Sequence, residues 1–207
     1  MTGWRAAIIF SKAENMKVLT RVYDSYSQAA KVVAALETVG IPSEDISLIA
    51  NRYVSEKYVN AADAKGAATG AGVGAVTGGS LGLLTGLGII AIPGLGPVVA
   101  VGWLAAAIFG AAAGAATGGF LGAVVGDDVP EADAHVLAES VRRGGTMVTA
   151  RVSDSLSGVA ATILQSYEPV DPVTRRVEYV RSGWSHFDPS ASPYTPTQAE
   201  IEHIRRE

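Results

Sequence analysis

Side chains along Lys17–Tyr23 (KVLTRVY) alternate, with Val18, Thr20 and Val22 to one side and Leu19, Arg21 and Tyr23 to the other. That is the period of a half-buried strand. Asp24-Ser25 then opens a helix. Ser25-x-x-Gln28 has capping-box spacing, in which hydroxyl and amide side chains satisfy the N–H groups left open at a helix start. Ala29, Val32, Val33, Leu36 and Val39 recur as one apolar stripe, and Gly40 stands where a left-handed residue ends a helix. Ile41-Pro42 breaks the pattern, and Ile46–Ala50 (ISLIA) reads as a buried strand. A right-handed βαβ crossover places these two strands parallel in one sheet.

The same grammar returns at Pro130-Glu131, a good first helical turn. Ala134, Leu137, Ala138 and Val141 form the stripe, Arg142-Arg143 complement the dipole in the last turn, and Gly144-Gly145 end the helix. Thr146–Val152 (TMVTARV) alternates as a strand. Asp154 or Ser155 caps a further helix carrying Val159, Ile163 and Leu164, and Tyr167–Val170 adds a short strand. Neither half has enough apolar surface to stand alone. Together they predict an α+β domain, a ferredoxin-like βαβ–αβαβ sandwich built from residues 16–60 and 127–171 with its helices on one face of the sheet.

Between the halves the chain changes character. From Gly66 to Gly126 there are 61 residues without an Asp, Glu, Lys or Arg. Glycines fall every fourth residue at Gly66, Gly70, Gly74, Gly78, Gly82 and Gly86, and again at Gly102, Gly110, Gly114, Gly118, Gly122 and Gly126, with Ala106 completing the second register. Small residues at that spacing line one stripe of a helix and let a second backbone approach closely. Pro93, Gly94, Gly96 and Pro97 mark a tight turn between the two registers. Residues 61–126 thus predict an antiparallel glycine-zipper helical hairpin. Gly74–Ile92 and Val98–Val125 have the length to span a bilayer, and glycine is tolerated where no water competes for the backbone. Lys57, Lys65, Arg142 and Arg143 flank the outer ends, so the positive-inside tendency puts the α+β domain and both termini in the cytoplasm. The alternative is a soluble helical hairpin buried in an oligomer.

Composition narrows the chemistry. The chain of 207 residues has a net charge of −4 and no cysteine. Disulfides, thiolate catalysis and Cys-based metal centres are excluded, and nucleic acid is a poor partner for a chain without a basic surplus. Gly70-x-Gly72-x-x-Ala75 resembles a dinucleotide fingerprint but follows no strand, and no acidic residue occurs before Asp127. His135, with Glu131 and Glu139 four residues to either side, has ligand-like spacing, but solvated helix neighbours are the reading that this spacing favours. Ser185, His186 and Asp188 lie too close in sequence for triad geometry. No catalytic, cofactor or metal residue emerges. Arg175–Trp184 reads as a solvated or headgroup-contacting arm, and residues 172–207 as a Pro- and Ser-bearing tail whose Thr195-x-x-Gln198 opens a short helix. Residues 1–15 form an uncertain extension: a loose arm, an edge strand, or a stretch preceding a true start at Met16.

Several of these segments coincide in VYDSYSQAAKVVAALETVGIPSEDISLIAN, the IPGLGPVVAVG centre, VPEADAHVLAESVRRGGTMVTARV and YEPVD. Over Met16–Asp171 the chain resembles the bacterial general or heat-induced stress protein (YflT-like) family, in which a glycine-zipper hairpin interrupts a ferredoxin-like domain. The resemblance implies a stress-associated bacterial membrane protein and supplies no catalytic residue. The expectation is a non-enzymatic inner-membrane protein, partnered by the lipid bilayer and by its own copies, with no cofactor and no identified small-molecule ligand. The alternative is a soluble homo-oligomeric assembly whose hairpins form a shared core.

Overall fold

The computed structural model describes residues 16–51, 88–92, 95–104, 119–125, 128–192, 194, 197–199 and 201–202. In chain order they form β1 (Met16–Tyr23), α1 (Tyr26–Thr38), a 3-10 turn (Ser43–Asp45), β2 (Ile46–Asn51), β3 (Gly88–Ile92), β4 (Gly96–Val101), α2 (Gly119–Val124), α3 (Glu131–Arg142), β5 (Thr146–Ser153), α4 (Asp154–Ser166) and α5 (Pro172–Arg181). The fold is α+β. Its sheet has five strands in the order β1-β5-β2-β4-β3. β5 pairs antiparallel with β1 (Met16 opposite Ser153, Tyr23 opposite Thr146) and with β2 (Ile46 opposite Ala150). β1 and β2 therefore run parallel, with β5 between them.

Local chemistry accounts for the punctuation. Ser25 caps α1, its hydroxyl accepting the Gln28 N–H at 3.2 Å. Gly40 leaves the helix at φ 93°, a left-handed conformation that costs glycine nothing. Asp171 caps α5 with Pro172 as the first helical residue, where a missing N–H goes unnoticed.

The expected single helical face is corrected: helices cover both sides of the sheet. Val22, Ile49 and Met147 point into one core with Leu137, Ala138 and Val141 of α3 and Phe120 and Val124 of α2. Their neighbours Tyr23, Leu48 and Val148 point into a second core with Val32, Val33 and Leu36 of α1 and Ala160 and Leu164 of α4. β2 is buried at every position, which is how a strand covered on two faces reads: a continuous apolar run rather than an alternating one. The ferredoxin-like reading loses its last strand as well. At Tyr167–Val170 one backbone bond remains, from Val170 N–H to Val22 O at 2.8 Å. Glu168 at φ 52° turns the chain, and Pro169 has no N–H to give.

The transmembrane hairpin is overturned. The inner ends of its two expected spans are β3 and β4, paired antiparallel with each other (Gly88 opposite Ala100, Ile92 opposite Gly96) and joined to the sheet through β4 and β2. Among the described residues no helix is long and apolar enough to cross a membrane. The reason is legible in the side chains around the turn. Ile89, Ile90, Ile92, Val98, Val99 and Val101 are all β-branched, and such residues lose rotamer freedom in a helix and suit a pleated surface. Ile92, Val98, Leu104, Phe120 and Val124, which fall within the expected spans, are buried in protein. The inner-membrane location with cytoplasmic termini loses its basis with the spans.

Candidate functional site

β1 forms one edge of the sheet, and outward backbone groups of Thr20 and Val22 are taken by other parts of the chain. Asp128 Oδ1 accepts the Thr20 N–H at 3.3 Å. Asp128 Oδ2 takes Arg21 Nη1, which also donates to Thr20 O at 2.7 Å. Val22 O is taken by Val170. Beside this seam opens a cleft of about 290 Å³, walled by Val129, Leu137, Val170 and three prolines and rimmed by Arg21, Asp128, Asp133, Gln165 and Asp171. The charges around it are already spent. Asp133 accepts from Arg176 Nη2 at 2.9 Å. Asp171 accepts from the Thr174 hydroxyl at 2.6 Å and the Val173 N–H at 3.1 Å, and these bonds, Thr174 first, hold its carboxyl below the usual range. The cleft joins three segments of chain and presents no nucleophile with an adjacent base.

A second polar cluster lies where α3 ends. Glu139 is 1% exposed, not the solvated neighbour of His135 that spacing allowed. It accepts from Arg142 Nη1 at 2.9 and 3.2 Å and from Arg143 Nε at 2.7 Å. A buried carboxylate persists only with such partners. The Arg143 guanidinium lies 4.3 Å from the Tyr179 ring centroid, and Arg142 lies 5.5 Å from that of Tyr194. Tyr179 donates to Ser140 Oγ at 3.0 Å, and burial pushes its hydroxyl pKa up. Phe187 is 2% exposed within the α3 core. The stretch expected as an arm is thus α5 and a strap laid over α3. The signal for it was present in Asp171-Pro172, a cap followed by proline. Val173, Val177 and Val180 form an exposed apolar row on α5.

The motifs that looked chemical do not assemble. His135 and His186 have ring centroids 6.4 Å apart, but among the described residues no group of three or more His, Asp or Glu side chains could hold a metal. Ser185 Oγ meets His186 Nδ1 at 2.9 Å, whereas Asp188 accepts from Ser190 N and Oγ at 2.7 and 2.6 Å. The three residues do not form a relay.

Of the packing glycines, Gly66, Gly70, Gly74, Gly78, Gly82, Gly86, Gly110, Gly114, Gly118 and Gly126 lie outside the described residues, as do Gly72, Pro93 and Gly94. Gly96 and Pro97 are in β4. Leu95 N–H donates to Ile92 O at 3.0 Å where the chain reverses. Gly102 follows β4 at φ 93°, so close to β2 that a Cβ there would stand 2.3 Å from Ile46 O and 2.5 Å from Ser47 Oγ. Gly122 is exposed in α2, with open space where a Cβ would be.

At the opposite edge lies β3, Gly-Ile-Ile-Ala-Ile, with no charged or polar side chain. It pairs with β4 on one side, and among the described residues nothing pairs with the other. The chain matches no protein-family model, no curated protein and no solved structure.

Proposed function

We propose that this protein is a non-enzymatic structural element that assembles with its own copies, using the glycine-rich stretches on either side of the β3–β4 hairpin to build a shared core. The observation that carries the reading is the 61-residue run without charge from Gly66 to Gly126, which is tied to the five-stranded sheet at its uncharged edge. Four-spaced glycines suit close backbone contact between helices. The spent ion pairs around the cleft supply no catalytic group to argue for an enzyme. The resemblance to stress proteins makes the assembly a stress-associated one.

The test is the mass of the full chain in solution by light scattering. The wild type is expected as an oligomer. Gly78→Leu and Gly114→Leu are expected to reduce its mass while leaving the circular dichroism of the sheet domain unchanged. A monomeric wild type, or folded variants of undiminished mass, overturns the reading.

A further inference from the structure

We infer that the outer edge of β3 is an interface that takes the β3 edge of a second copy, antiparallel, so that the two sheets become one. The inference rests on the proposed self-assembly and assigns it a specific contact.

A strand at the end of a sheet presents a row of unused N–H and C=O groups, and proteins that stay single blunt such edges with charge, proline or covering chain. The β1 edge has those devices. Lys17 and Arg21 sit on it, Asp128 takes the Thr20 N–H, and Val170 takes Val22 O. β3 has none of them among the described residues: Gly88–Ile92 contains neither a charge nor a proline, and its outer side meets no strand.

Charge selects the occupant. No Asp, Glu, Lys or Arg occurs within 20 residues of β3 on either side, so an acidic or basic peptide would gain nothing from the flanking chain. A neutral apolar strand fits, and this molecule supplies one. A second β3 brings the same residues in the reverse direction, giving main-chain bonds between strands without juxtaposing like charges. Closure follows from the occupied edge. With Thr20 and Val22 of β1 already bonded, pairing through β3 uses the edge that the described residues leave open in each copy and stops at a two-fold dimer instead of propagating as a fibre.

The absence of cysteine allows a direct reading. Ile90 is the midpoint of β3, and a two-fold axis there brings position 90 of both copies to about 5 Å, within disulfide reach. Oxidised full-length Ile90→Cys is expected to run as a covalent dimer, whereas Ala91→Lys, which places a charge on the edge, is expected to halve the mass of the associating unit. If Ala91→Lys does not fold, the cross-link decides alone. The pairing is overturned if Ile90→Cys stays uncrosslinked, or if folded Ala91→Lys keeps the wild-type mass. Loss of mass in Gly78→Leu with none in Ala91→Lys overturns the pairing and supports the glycine core. The reverse pattern supports the pairing and overturns the glycine core.

Discussion

The two edges of the sheet are built from opposite materials. β1 carries Lys17 and Arg21 among apolar residues, and outward groups of Thr20 and Val22 are met by a carboxylate, a guanidinium and the backbone of a turn. β3 consists of one glycine, one alanine and three isoleucines. The difference teaches that closing an edge requires chain brought from far away: Asp128 is 108 residues from Thr20, and Val170 lies beyond a complete strand and helix. An edge to which the described residues bring no such partner is available for other uses.

Substitution can break this contrast in order of severity. Gly102 holds the open half of the sheet against β2. Gly102→Ala places a Cβ against the Ile46 carbonyl in a conformation that alanine resists, and the loss of stability is expected to exceed about 3 kcal/mol in urea unfolding. Asp128→Ala acts on the closed edge. It leaves the Arg21 guanidinium, whose side chain is 24% exposed, without its carboxylate and the Thr20 N–H without an acceptor. The expected cost is about 1–3 kcal/mol, accompanied by a new concentration-dependent association as the β1 edge opens. An unchanged sedimentation profile would show that Asp128 does not guard that edge.

The smallest effect is electrostatic and belongs to the turn beside the closed edge. The Asp171 carboxyl is held below its ordinary value of 3.8 in the folded chain, chiefly by the Thr174 hydroxyl. A group with a lowered folded pKa stabilises above its unfolded value, and that stabilisation disappears as the pH falls through the folded one. The stability gap between wild type and Asp171→Ala is therefore expected to be full at neutral pH and to narrow below 3.8. A gap independent of pH would mean that the ionised carboxylate accepts these bonds no better than the neutral acid.

How much of this was written in the chain depends on how local the signal is. Ser25, Gly40 and the stripes of α1 and α3 act within a turn or two, and they sit where spacing placed them. At β3 and β4 two local signals conflict. Four-spaced glycine favours close-packed helices, and runs of isoleucine and valine favour strands. Pairing between β4 and β2, set by residues some 50 positions apart, decides for the strand. The burial of Glu139 was illegible for a related reason: its partners Arg142 and Arg143 are neighbours, but the Tyr179 and Phe187 that cover the region come from the tail. The missing last strand was readable at Pro169, which cannot donate to a ladder.

The position of β5 between β1 and β2 sets the order in which the molecule can be made. β1 and β2 flank a strand that emerges from the ribosome about a hundred residues after them, so β1 waits for its strand neighbour while β2 meets β4 first. β1 and the β2–β4–β3 ribbon must wait unjoined, and the sheet closes only when Thr146–Ser153 slides between them. Such distant joining makes for slow folding and gives a nascent chain reason to meet a chaperone before it meets its own second half.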